Sequence, residues 1–224
     1  MAEKKLRVDF HSHTLASRDS RNPINGVIEQ ARQVGLDRLV ITDHNTIRGA
    51  LKAKELAPEL IIVGEEILTS KGELLAAFVT EEVPARLPPE EAIRRLRSQG
   101  AFISVSHPFD ISRHGWRVKD LLQILLLVDA IEVFNARCLG RNLNRKAAQF
   151  AQDHGIAGTV GSDAHTMDEF GNAYLELPWF NDAESLRNII AHGSVYGQQA
   201  GPWVRFGSTI AKLFGKKRKP DLKA

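Results

Sequence analysis

Short apolar runs rich in valine, isoleucine and phenylalanine recur along the chain, separated by longer segments of helical periodicity, and this alternation limits the fold more than any other feature. The runs lie at 6–11, 38–43, 60–67, 101–107, 130–135, 157–163 and 195–199. Helices are expected at 23–34, 46–57, 88–99, 118–128, 142–154 and 182–192, with Gly35, Gly100, Gly155 and Gly193 as stop signals. An extra strand at 73–79 is expected to pair back as a hairpin after Ser70-Lys71-Gly72. Such an order in 224 residues suits either a small β/α barrel or an open doubly wound sheet.

Composition narrows the class. With 43% hydrophobic and 25% charged residues the chain is expected to form one compact domain, over residues 1–206, followed by a basic tail over 207–224. The net charge is +3, but from Lys212 onward six basic residues face Asp221 alone, so that stretch carries +5 and the rest about −2. A single cysteine, Cys138, excludes an intramolecular disulfide. With no apolar leader after Met1 and no run long enough to span a bilayer, a cytoplasmic location without a membrane span is expected.

The polar residues gather where the strands end. The first run ends in Asp9-Phe10-His11-Ser12-His13, the second in Thr42-Asp43-His44-Asn45 and the third in Gly64-Glu65-Glu66. The fourth ends in Ser106-His107-Pro108, the fifth in Glu132-Val133-Phe134-Asn135-Ala136-Arg137 and the sixth in Gly161-Ser162-Asp163-Ala164-His165. Five of the eight histidines therefore fall on the rim that carries the active site in β/α folds. Residues i and i+2 of a strand share a face, so His11 with His13, and Asp163 with His165, can each hold one ion. Imidazoles and carboxylates without thiolates point to zinc, manganese or iron in a hydrolytic site of two or three ions, bridged by a carboxylate such as Glu66. Alternation turns Glu65 away from Glu66. Asp43 is expected to orient a histidine, His154 and His192 to serve helix ends, and His114 to lie in a loop near the rim.

His-x-His, Thr-Asp-His, Gly-x-Glu, Ser-His-Pro and Gly-Ser-Asp-Ala-His, in this order over residues 6 to 200, resemble the motifs of the PHP (polymerase and histidinol phosphatase) superfamily. The resemblance implies a distorted seven-stranded, TIM-like β/α barrel that binds two or three divalent ions (Mn, Zn or Fe) and hydrolyses phosphoesters with a metal-activated water. It implies that His11, His13, Glu66 and Asp163 hold the catalytic ion, with Glu66 bridging to a second ion near His107. It also implies that Asp19, His44 and His165 hold a third. A further histidine that some members supply after the fifth strand is absent here, leaving Asn135, Cys138 or water to complete the second ion.

A phosphate also needs a cation for its outer oxygens, and Arg137, on the same strand face as Asn135, is the best placed, making these two the expected substrate-binding residues. Arg18, Arg113 and Arg117 are expected to be solvated. Three functions compete: a phosphoesterase for a small phosphorylated metabolite or nucleotide, a nuclease for which Lys216–Lys219 would supply phosphate contacts, and a non-catalytic binding module. The nearly complete ligand set disfavours the last, since buried imidazoles and carboxylates are costly without an ion.

Overall fold

The computed structural model describes residues 5–199, the side chain of Arg141 excepted. The expected tail over 207–224 and its boundary lie outside the described residues. In chain order the elements are β1 Leu6–Ser12, α1 Ile24–Gln33, β2 Arg38–Ile41, α2 Arg48–Leu56, β3 Ile61–Leu68, β4 Glu73–Ala77, α3 Pro89–Ser98 and β5 Phe102–Val105. There follow α4 Val118–Ile124, β6 Ala130–Asn135, α5 Arg141–His154, β7 Ala157–Gly161, β8 Ala173–Leu177, α6 Ala183–Ile189 and β9 Ser194–Gly197.

The strands form one mixed sheet of nine, in the order β7-β6-β5-β4-β3-β2-β1-β8-β9. Pairs β1–β2, β2–β3, β5–β6 and β6–β7 are parallel, whereas β4 and β8 run antiparallel to both of their neighbours. The sheet curls until β7 meets β1: Asp163 N donates to the His11 carbonyl (2.7 Å) and His13 N to the Ala164 carbonyl (3.1 Å). The result is a nearly closed α/β barrel. Its strand count corrects the expected seven, because β8 and β9 extend the sheet beyond β1. The missed strand, Ala-Tyr-Leu-Glu-Leu, buries Ala173, Leu175 and Leu177 while Tyr174 and Glu176 stay half-buried. Being antiparallel to β1, it needs no crossover helix and so falls outside a strict βα reading.

Side-chain alternation builds two layers. Val40 packs inside with Val8, Phe10 and Phe102, while Leu39 and Ile41 on the same strand pack outside with Val27 and Ala31 of α1 and Ala50 and Ala53 of α2. Helix α3 shows why the outer layer forms: Pro89 opens it, Glu90 and Glu91 occupy the first turn, and Ala92, Ile93 and Leu96 are buried. At the end opposite the rim, Leu186 of α6 joins the interior cluster, and Arg187 donates to Asp129 (3.1 Å), just before β6.

Two register shifts aim the rim. Val8 and Phe10 belong to the interior core, yet His11 and His13 also point inward, because the pairing with β2 slips by one residue between Asp9 and Ser12. A second shift, between Glu132 and Phe134, does the same for Asn135 on β6. Closure of β7 against β1 depends on Gly161: a Cβ there would stand 2.3 Å from the His11 Cβ and 2.6 Å from Glu132 Oε1. Gly161→Ala is therefore expected to destabilise the fold by about 1–3 kcal/mol, the usual range for overpacking. Urea denaturation checks this, and an unchanged midpoint would mean that the rim yields freely.

Candidate metal centre

Four buried side chains converge first. His11 Nε2 lies 3.1 Å from His13 Nε2, 3.3 Å from Glu66 Oε2 and 3.5 Å from Asp163 Oδ1. His13 Nε2 lies 3.4 Å and 3.3 Å from the same two oxygens. A tetrahedral ion with ligand bonds of about 2.0–2.2 Å spaces its donors by about 3.3–3.6 Å, so the set has the spacing such an ion requires. Asp163 reaches it from a left-handed backbone, φ 55°, just beyond the closing strand.

A second layer fixes these groups. Glu132 Oε1 lies 3.0 Å from His11 Nδ1, while its other oxygen accepts from His107 N (2.7 Å) and Asn135 Nδ2 (3.1 Å). His13 Nδ1 lies 3.1 Å from Ser17 Oγ, which donates to Asp43 Oδ1 (2.7 Å); Asp43 also accepts from Thr14 N and Oγ1. Asp43 thus acts on the histidine through Ser17. A carboxylate behind an imidazole fixes which nitrogen faces an ion.

A second set gathers on Asp19. His44 Nε2 and His165 Nε2 lie 3.5 Å and 3.4 Å from Asp19 Oδ1, and the His13 and His165 rings are 4.2 Å apart. Burial opposes ionisation of Asp19, but the two imidazoles hold its carboxyl well below the usual range. The third set lies on the other side of Glu66. Its Oε1 accepts from Ser106 Oγ (2.7 Å) and lies 3.3 Å from His107 Nε2, which is 3.6 Å from Glu73 Oε2. Glu73 was not among the expected ligands. It opens β4, and because β4 runs antiparallel to β3, the start of β4, not its end, reaches the rim.

The remaining expectations divide. Asn135 is buried, donating to Asp163 Oδ2 (3.2 Å) and Glu132. Arg137 is 5% exposed, with Nε 2.8 Å from Glu169 Oε1 and Nη1 2.6 Å from His165 Nδ1, so its guanidinium lies behind the ligands. Arg113 is not a solvated side chain: it donates to Asp163 Oδ2, Asp110 (2.9 Å), Asn135 (3.2 Å) and Cys138 Sγ (3.2 Å). Cys138 and Asn135 therefore sit on the Arg113 side, while Glu73 stands beside His107. Arg18, Arg117 and His114 are exposed, and His154 Nδ1 lies 2.9 Å from the Phe150 carbonyl at a helix end. Glu65 faces away from Glu66 and accepts from Val83 N (3.0 Å).

Comparison with known proteins agrees with this geometry. The model of the PHP domain matches residues 9–94, and that of a PHP-associated segment matches residues 141–195. An uncharacterised protein of Methanocaldococcus jannaschii, MJ0417, is 38% identical over 180 residues, covering 79% of this chain and 72% of its own. The chain belongs to the PHP family. Its fold is shared with PsfC from Pseudomonas syringae (TM-score 0.67, 18% identity, 95% of this chain and 98% of that one). A candidate metal-dependent phosphoesterase from Bifidobacterium adolescentis shares it too (TM-score 0.61, 18% identity, 87% and 98%). The two PHP matches contain His11, His13, Asp19, His44, Glu66, Glu73, Asp163 and His165, while His107, Asn135 and Cys138 lie between them.

The residues fit divalent cations on their own evidence. Glu66 Oε2 is buried without a hydrogen bond among the described residues and is ringed by His44 Nδ1 (3.0 Å), His11 Nε2 and His13 Nε2. The protons held there mark the charge an ion would replace. Burial disfavours the His11 imidazolium, yet Asp163, Glu66 and Glu132 together raise its pKa well above 6.5. Burial, then repulsion by Glu66, pushes the Glu73 carboxyl up to about 8. Both groups must deprotonate to act as ligands, so metal uptake at pH 7 is expected to release about one proton or more per chain, and affinity to fall as pH is lowered. Calorimetry in buffers of different ionisation enthalpy reads this directly. Binding heats independent of the buffer would contradict it.

Proposed function

We propose that this PHP protein is a metal-dependent phosphoesterase acting on a small phosphorylated metabolite or nucleotide. The observation that supports it most is Glu66, whose two oxygens face different donor sets: Oε2 toward His11 and His13, and Oε1 toward His107. A carboxylate shared in this way suits neighbouring divalent ions, which would polarise a phosphoryl oxygen and lower the pKa of a water.

In this reading His11, His13, Glu66 and Asp163 hold the ion at which water is activated. Asp19, His44 and His165 hold another, and His107 with Glu66 a further one. Glu132 keeps His11 Nε2 turned to the centre, and Ser17 does the same for His13. Arg113 caps the outer oxygen of Asp163 and, with its side chain 20% exposed against 5% for Arg137, is the better placed of these two cations for a phosphate. Asn135 fixes Arg113 and Asp163 in place, and Arg137 pairs with Glu169 behind His165. A small substrate is favoured because the chain outside residues 212–224 carries about −2, a poor field for a long polyanion.

A panel of phosphomonoesters, dinucleotides and oligonucleotides, assayed with Mn²⁺-loaded and Zn²⁺-loaded protein, tests the proposal. His11→Ala and Asp163→Ala are expected to reduce turnover of the best small ester by about a thousandfold or more, while His154→Ala stays within about twofold. Equal losses in all three, with the fold retained by circular dichroism, would refute the assignment. Turnover confined to oligonucleotides would replace it with a nuclease.

A further inference from the structure

The three donor sets differ in chemistry. The sets on Asp163 and on Asp19 each contain two imidazoles, His11 with His13 and His44 with His165. The set at Glu73 contains a single imidazole, His107, and two carboxylates. One ligand atom each of His44, Glu66 and Glu73 also lie within 4.8 Å of one another, but His44 turns Nε2 to Asp19 and Nδ1 to Glu66 Oε2 (3.0 Å), the oxygen that faces His11 and His13, whereas His107 alone among the described imidazoles faces Oε1.

The placement of Glu73 is built into the fold. Leu75 stands opposite Glu66 across the β3–β4 ladder, and residues opposite each other share a face, so Glu73, two positions from Leu75, faces inward beside Glu66. Its backbone is clamped: the Glu73 carbonyl accepts from Trp116 Nε1 (2.9 Å) and Ser106 N (3.2 Å). Gly72 admits that indole, since a Cβ there would come within 2.4 Å of it. Glu73 is 6% exposed, and its carboxylate receives no hydrogen bond among the described residues. On this side Glu66 presents Oε1, which accepts from Ser106 Oγ (2.7 Å) and lies 3.3 Å from His107 Nε2.

We infer that Glu73 makes the position beside Glu66 and His107 an oxygen-rich ion site, which discriminates less strongly for zinc over manganese than the two imidazole-richer positions next to it. The inference rests on the metal-dependent reading above. Carboxylate and water ligands suit manganese, whereas each added imidazole shifts a site toward zinc. Zinc outcompetes manganese at most mixed donor sets, so the difference appears as an order of displacement.

The test loads metal-free protein with Mn²⁺ and titrates it with Zn²⁺, counting released Mn²⁺ by its solution electron paramagnetic resonance signal and bound metal by elemental analysis. In the wild type about one Mn²⁺ per chain is expected to leave last, at a free Zn²⁺ concentration about tenfold or more above the rest. Glu73→His should bring that release into line with the others, and the near-isosteric Glu73→Gln should bind one Mn²⁺ fewer while the other positions keep theirs. Release of all Mn²⁺ in one phase, or a late-leaving Mn²⁺ that persists in both variants, would overturn the inference even where phosphoesters are hydrolysed. The expected metal pattern in a protein that hydrolyses none would leave it standing and remove the phosphoesterase reading instead.

Discussion

Glu66 is the constraint around which the rim is arranged. The residue is 1% exposed, and four imidazole nitrogens, from His11, His13, His44 and His107, lie within 3.0–3.4 Å of its two oxygens. Burial alone would drive such a carboxyl neutral, yet His11 and His44 hold it well below the usual range. Its neighbour Glu65 shows the alternative. Turned outward by strand alternation and given one backbone donor, Glu65 is pushed up by burial to about 8. Two adjacent glutamates on one strand thus differ in charge state because one faces imidazoles and the other faces apolar packing.

The mixed polarity of the sheet follows from what the rim has to collect. Parallel strands bring only their C-terminal ends to one rim, and β1, β2, β3 and β6 do so with His11, His44, Glu66 and Asn135 within three residues of their ends. Inverting β4 adds a strand start, and with it Glu73, between β3 and β5. Inverting β8 lets the chain return to β1 without a crossover, so the segment between β7 and β8 stays at the rim. Glu169 in that segment accepts from His165 N (2.8 Å) and receives Arg137.

This polarity also explains what the sequence could and could not convey. The pair His11/His13 was legible because period two places both members on one face, whereas Asp163 and His165, beyond the end of β7, divide between two donor sets, Asp163 with His11 and His13 and His165 with Asp19 and His44. Glu73 was not legible, since a rule that looks at strand ends passes over the start of an inverted strand. Glu132 faces inward with Ala130 by plain alternation, but that Asn135 shares this face follows only from the shift in pairing with β7. Arg113 lies in a loop, and nothing local distinguishes a loop arginine in water from one bonded to Asp163. Strand β8 was hidden by its half-exposed Tyr174 and Glu176, whose burial depends on β1 and β9 as partners.

The orienting contacts divide the histidines of the rim. Glu132 and Ser17 engage Nδ1 of His11 and His13, and the Asp163 carbonyl lies 2.8 Å from Nδ1 of His165, so these rings present Nε2 inward before any ion arrives. His44 lacks such a brace. Both of its ring nitrogens face carboxylates of the cluster itself, Asp19 and Glu66. Its side chain is 31% exposed, against at most 4% for His11, His13, His107 and His165. A ring held only by the charges it would share with an ion is free to turn when those charges are neutralised, whereas braced rings are not. Of the five rim histidines His44 is thus the most exposed and the one held on both nitrogens by carboxylates of the cluster itself.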